Sequence, residues 1–224
     1  LVDAQGRNSI VVALGANAHL STAHVDAQAD AFRDAGVVLA PLESPLDAVL
    51  AAMRRGRLAG ARTILNPAPV HAALDAAALS DVDLLTPNET EFTALLSGLA
   101  GASVDPSTLR HRPDAELAAL CARLPVGAVI VTLGDAGAFI AAGATGAAST
   151  RTARLPAAAV RAIDTTGAGD AFNGALAAAW ADAPDTDPTA LLPFAMRFAG
   201  LSTERRGAAA AMPRRAEVIQ RFGA

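Results

Sequence analysis

The stretch Asp164-Thr165-Thr166-Gly167-Ala168-Gly169-Asp170-Ala171-Phe172-Asn173-Gly174 stands between an apolar run and a helical pattern. Its glycines let successive backbone N–H groups turn into one concavity, and the start of the helix adds the positive end of its dipole. Such a turn holds an anion without any lysine. Asp170 falls on the first helical turn, facing that anion, where a carboxylate can take the proton of an attacking hydroxyl. Anion stabilisation plus one base is what phosphoryl transfer to an alcohol requires. An ordinary glycine turn with Asp170 as a helix-start carboxylate accounts for the same spacing. A second cluster, Thr86-Pro87-Asn88-Glu89-Thr90-Glu91, places Asn88 three residues before Glu91. That spacing fits a helix capping box, and the local pattern favours the cap. The same pair also suits a water-bridged Mg²⁺ and phosphate site, since magnesium prefers oxygen ligands and keeps its waters. Thr132-Leu133-Gly134-Asp135-Ala136-Gly137 is a third turn of this kind, in which the glycines can equally make a hairpin.

All three motifs fall at strand exits, and the elements around them follow a βαβα rhythm. Short β-rich runs at Ser9–Leu14, Val37–Ala40, Thr63–Asn66 and Asp83–Thr86 alternate with helical patterns at Thr22–Ala35, Pro45–Leu58, His71–Leu79 and Asn88–Leu96. The rhythm predicts a parallel sheet covered by helices, with ligands at the carboxyl ends of its strands. After residue 130 the strands crowd together at Ala128–Leu133, Gly137–Ala142 and Thr150–Leu155, which predicts antiparallel additions to one edge. A long helix is expected over Gly169–Ala181 and a loop over Gly98–Arg112. Ser44-Pro45 and Asp187-Pro188 each place a capping side chain before a helix-opening proline.

Composition removes whole classes of function. The 224 residues carry a formal charge of -4, which excludes a phosphate-tracking nucleic-acid surface and a polybasic membrane anchor. All 18 basic residues are arginine, so no lysine can serve as Schiff base, general base or P-loop cation. Cys121 is the single cysteine, and His19, His24, His71 and His111 do not fall at metal-ligand spacing. The apolar run Val126 to Ala148 is broken by five glycines and Asp135 and reads as strands and turns rather than a membrane span. A cytoplasmic protein is expected, because Asp3 and Arg7 interrupt any signal-like core.

Asp164 to Gly174 resembles the C-terminal signature of the PfkB carbohydrate kinase family. Gly15-Ala16-Asn17-Ala18, Leu42-Glu43-Ser44-Pro45, Asn66-Pro67-Ala68-Pro69, Thr86 to Glu91 and Thr132 to Gly137 are similar to its ribokinase branch, in the same order over nearly the whole chain. The resemblance implies an α/β fold with an open, mostly parallel sheet, helices on both faces and a remnant of a small β lid at 1–14, all within one domain over 1–224. It implies ATP-dependent phosphorylation of a sugar hydroxyl, D-ribose to D-ribose 5-phosphate. A fructokinase-like or nucleoside kinase, or a non-catalytic chain keeping the nucleotide cleft, are the alternatives. Asp170 would be the base, with Gly167, Ala168 and Gly169 as the anion hole. Asn88 and Glu91 would organise Mg²⁺ and the ATP phosphates, Thr132 and Gly134 would join Gly169 in the nucleotide site, and Glu43 would contact the sugar. Asp164 and Thr166, completed by Ser202, Arg205, Gly207 and Ala211, match a monovalent-cation (K⁺) site. Pairing into a homodimer is implied by analogy.

The sequence departs from that pattern in three places. Phe198 to Ser202 is about one helical turn shorter than the family's helix at this point. Ala211 stands where serine is usual, leaving only a backbone contribution to the cation site. The first strand, the Asn-x-Asp sugar segment and the Gly-Gly-x-Gly-Ala-Asn motif are absent, and Leu1 to Gly6 resembles the middle of the lid. Little ribose turnover is therefore expected from the chain as written, with recovery when the upstream segment is restored.

Overall fold

The structure is a computed structural model that describes residues 12–143 and 150–223. In chain order its elements are α1 (Thr22–Ala27), β1 (Val37–Pro41), α2 (Leu46–Leu58), β2 (Arg62–Asn66), β3 (Leu84–Leu85), α3 (Glu89–Ala100), α4 (Asp114–Cys121), β4 (Ala128–Thr132), β5 (Ala138–Ala142), β6 (Arg151–Leu155), α5 (Ala168–Asp182), α6 (Pro188–Ser202) and α7 (Arg215–Phe222), with short 3₁₀ segments between them. The strands form one sheet in the order β1-β2-β3-β4-β5-β6. The pairs from β1 to β4 are parallel, and β5 and β6 add antiparallel at one edge, as the crowded strands imply. The lid remnant at 1–14 and the strand expected from Ser9 lie almost wholly outside the described residues; Val12 to Leu14 form no strand.

The period-2 alternation of strand side chains divides the core in two. Leu65, Leu85, Val129, Val131 and Phe139 point to one face, where Met53 of α2, Phe92 and Leu96 of α3 and Leu117 of α4 cover them. Ile64, Leu84, Ile130 and Ile140 point to the other, against Phe172, Leu176 and Trp180 of α5 and Leu192 of α6. Strands buried on both faces need continuous apolar runs, which is why Ala128-Val129-Ile130-Val131 has no polar interruption. Each fully buried Leu, Ile or Phe contributes about 1.5–3 kcal/mol, so both layers are needed to hold the strand ends in place.

Three local expectations change. The helix expected over Thr22–Ala35 ends at Ala27 and continues only as a 3₁₀ segment, Ala29–Phe32. His71–Leu79 is turns followed by a 3₁₀ segment, Ala78–Asp81, because the His71 and Asp75 side chains accept the N–H groups of Ala73 and Ala78 and stop a helix from propagating. Ser44 does not cap α2, whose first turn is served by Asp47 on the Ala48 N–H at 2.9 Å. The Asp187-Pro188 cap does form, with Asp187 accepting the Thr189 N–H at 2.8 Å. Cys121 is buried, and desolvation pushes its thiol up to about 12, so it is inert packing. Among the described residues no helix is long and apolar enough to cross a membrane.

Candidate active site

Parallel pairing puts the ends of β1, β2, β3 and β4 along one edge of the sheet, and the loops that leave them are stitched together. Leu42 donates its N–H to Ala68 O at 3.0 Å, Asn66 donates its side-chain amide to Thr86 O at 3.0 Å, and Thr132 N–H reaches Pro87 O at 3.0 Å. Asn88 and Thr132 pair as an isolated parallel bridge, so two of the sequence motifs are hydrogen-bonded neighbours. Glu43, beyond the end of β1, is exposed at the same edge.

Asn88 caps α3 in a complete capping box. Its Oδ1 accepts the Glu91 N–H at 2.9 Å, its own N–H donates to Glu91 Oε2 at 2.9 Å, and its Nδ2 donates to Glu91 Oε1 at 2.8 Å. Burial pushes the Glu91 carboxyl up from its ordinary value, outweighing the two Asn88 donors that pull it down. All three oxygens of the pair serve the cap, and the half-buried, poorly solvated Glu91 charge is the part of it that a nearby cation would stabilise.

The second half of the site comes from the far edge of the sheet. β6 runs parallel in space to β4, because β5 lies antiparallel between them, and its end Leu155 pairs opposite Ala138. Gly137 makes this junction possible. Its φ is +97°, and a Cβ there would sit 1.9 Å from Leu155 O and 2.8 Å from Ala157 N. The chain then passes Asp164, whose carboxylate accepts the Thr166 N–H at 2.9 Å through one oxygen and the Gly207 N–H at 2.9 Å through the other. The Gly207 N–H foremost, then Thr166, hold the Asp164 carboxyl down to about 2. Asp164 thereby ties the turn before α5 to the loop after α6. Gly167, at φ +74°, ends that turn and leads into α5 at Ala168. Asp170 lies exposed on the first turn of α5 with no side-chain partner among the described residues.

The loop expected to complete a cation site is in place but differs in its donors. Ser202 is buried and spends its hydroxyl on Ala199 O at 2.7 Å, Ala211 is buried without a side-chain oxygen, and the Arg205 guanidinium is bound to Glu217 at 2.5 Å. Of Asp164, Ser202, Arg205 and Ala211, only Asp164 keeps a side-chain acceptor for a cation.

A cavity of about 530 Å³ opens between the turn after β4 and the start of α5. Of the residues named from sequence it gathers Thr132, Gly134, Ala168 and Gly169. Asn88, Glu91, Asp170 and Glu43 stand outside its lining. Sequence reasoning missed part of its walls, Ala157 to Val160 after β6 and Met196 of α6, which with Ala199 and Gly200 of the Phe198 to Ser202 stretch leave an apolar slot. The last turn of α6, within Phe198 to Ser202, thus lines the cavity through Ala199 and Gly200. Also missed was Arg110, which lies in the stretch read as a loop and binds Asp135 of the turn after β4.

A family model described as pfkB family carbohydrate kinase matches residues 1–215. The chain is 33% identical over 219 residues to a ribokinase of Staphylococcus aureus (strain COL), covering 98% of this chain and 67% of that protein. Among solved structures, a ribokinase from Thermotoga maritima superposes with a TM-score of 0.78 at 30% identity, covering 98% of this chain and 66% of that one. Arabidopsis thaliana ribokinase complexed with ribose and ATP superposes with a TM-score of 0.77 at 27% identity over 98% and 66% of the respective chains. The chain therefore spans about two thirds of the length of these relatives. With the ordered strand-exit motifs, the mixed sheet and the glycine turn at α5 all in agreement, the chain belongs to the pfkB family of carbohydrate kinases.

Proposed function

We propose that the protein transfers the γ-phosphoryl group of ATP to a sugar hydroxyl, and that the sugar is D-ribose, phosphorylated at O5. One observation carries the reading: a single cavity joins the Thr132–Gly134 turn to the positive end of α5, and Asp170 stands on that same first turn. The apolar slot suits a purine ring, while the N–H groups at Gly167 and Gly169 suit the transferring phosphoryl group, and that of Ala168, which donates to Thr165 O at 3.1 Å, would have to leave that carbonyl to join them. Asp170 takes the proton from the attacking hydroxyl, and its exposure leaves room for a sugar above it. Glu43 at the end of β1 orients the sugar from the opposite side of the sheet edge. Asn88 and Glu91 hold Mg²⁺ through water, which would supply charge neutralisation on the polyphosphate. Asp164 with the backbone of Thr166, Ser202, Arg205, Gly207 and Ala211 holds K⁺ beside the anion turn, which would fix that turn. Ribose rather than fructose is supported by the kinds of relative found, since the Arabidopsis structure is described with ribose and ATP. A cytoplasmic homodimer belongs to the same reading.

The test is ADP release by the protein, with ribose, 2-deoxyribose, fructose and adenosine as acceptors. Release that requires ribose supports the proposal. Release that is equal with and without any sugar would sink it, and release with adenosine alone would move the protein to the nucleoside kinases.

A further inference from the structure

The cavity lining holds a single ionisable residue among the described residues, and its charge has the wrong sign for a polyphosphate. Asp135 lines the cavity, and no arginine or histidine does. The chain has no lysine to correct this. Arg110, from the 3₁₀ segment Pro106–His111, binds that lining carboxylate. Its Nη1 donates to Asp135 Oδ1 at 3.0 Å and its Nη2 to Glu89 Oε1 at 3.3 Å. The same Nη2 lies 3.9 Å from where a Cβ on Gly134 would stand, so the guanidinium rests against the cavity's own glycine turn.

We infer that Arg110 is a phosphate-binding residue of the nucleotide site, parked on Asp135 and Glu89 until nucleotide arrives; the inference rests on the kinase reading above. The backbone of Arg110 is fixed from both sides. Leu109 is fully buried in the core, and the Arg154 guanidinium binds the carbonyls of Arg110 at 3.4 Å and Arg112 at 2.8 Å while its Nε holds Asp114 at 2.7 Å. The side chain is free to exchange partners by comparison. The Asp135 side chain is 88% exposed, and exposed ion pairs of this kind contribute little. A phosphate offers a guanidinium two oxygens in the same planar fork and more negative charge than a carboxylate, so the exchange runs toward nucleotide. Leaving Asp135 for phosphate costs a weak surface pair and gains a charge-assisted one beside the Gly134 turn.

The experiment is calorimetric titration of the parent protein, Arg110→Ala, Arg110→Lys, Asp135→Asn and the Arg110→Ala/Asp135→Asn double variant with Mg-ATP, Mg-ADP and AMP. Arg110→Ala is expected to weaken ATP and ADP about tenfold, as loss of one charge-assisted bond does, and to leave AMP nearly unchanged. Arg110→Lys should recover part of the loss. Asp135→Asn should tighten ATP, since it removes the competing carboxylate. The double variant decides between binding and mere neutralisation of Asp135: it should stay as weak as Arg110→Ala. Return of the double variant to parental affinity would overturn the inference, as would equal weakening of ATP and AMP by Arg110→Ala, or no weakening at all. A parent that binds no ATP would overturn the kinase reading and this inference with it, whereas a parent that binds ATP as well as Arg110→Ala does sinks the inference alone.

Discussion

Asp164 and Glu91 show how two carboxylates of one site are set apart by their surroundings. Two backbone N–H groups, from Gly207 and Thr166, hold the ionised form of Asp164 and lower its carboxyl to about 2 from an ordinary 3.8. A lowered folded-state value means the group stabilises the fold above its unfolded value and loses that contribution as pH falls toward the folded one. Melting temperature followed from pH 5 to pH 2 should therefore drop more steeply in the parent than in Asp164→Asn. Parallel curves would show that the ties to Thr166 and Gly207 do not hold the turn. Glu91 has the opposite sign, because burial raises it and its charge is a cost at neutral pH. Glu91→Gln is expected to change stability by no more than about 1 kcal/mol, the worth of one cap, while raising the Mg²⁺ concentration needed for half-maximal activity severalfold. Mg²⁺ titration alongside thermal melting separates the two, and a stability loss with unchanged Mg²⁺ demand would reduce Glu91 to a cap. Of these residues, Asn88 with Glu91 and Asp164 with Thr166 could be read from spacing, since their bonds are local in sequence. Arg110 could not, since its partners Glu89 and Asp135 lie 21 and 25 residues away.

Among the elements, the turn between β4 and β5 does most to shape the cavity. Gly137 lets the end of β6 pass so close that a Cβ would strike Leu155 O, and its φ of +97° is strained for any side chain. Gly137→Ala is therefore expected to cost more than about 3 kcal/mol and to weaken ATP through the displaced loop at Ala157 to Val160. Denaturant unfolding with a parallel ATP titration checks both, and a variant within about 0.5 kcal/mol of the parent would contradict the junction. Most elements were readable from sequence. Strands buried on both faces announce themselves as apolar runs, and α3 and α5 begin within a residue or two of the patterns at Asn88 and Gly169. The wall supplied by α6 was not, because nothing local in Met196, Ala199 or Gly200 says that the loop after β6 folds back over them. The helix expected over His71–Leu79 failed for a related reason: apolar periodicity over one short segment does not outweigh side chains that capture its first N–H groups.

At the scale of the molecule, two cores on either face of one mixed sheet bring the ends of β1 to β4 and β6 to the same edge, and α5 begins there. The fold class was readable from the βαβα rhythm. The cavity was not, because it needs the antiparallel edge to return β6 toward β4 before α5 can face the Thr132–Gly134 turn. In the proposed reaction Asp170 acts as a base on a hydroxyl while the start of α5 holds the phosphoryl group. The most direct measurement is single-turnover phosphoryl transfer from ATP to ribose in the protein and its Asp170→Asn variant, with ATP affinity measured in both. The rate should fall by about 10²- to 10⁴-fold with ATP affinity nearly unchanged. An Asp170→Asn variant that keeps most of the parental rate would contradict the base role of Asp170.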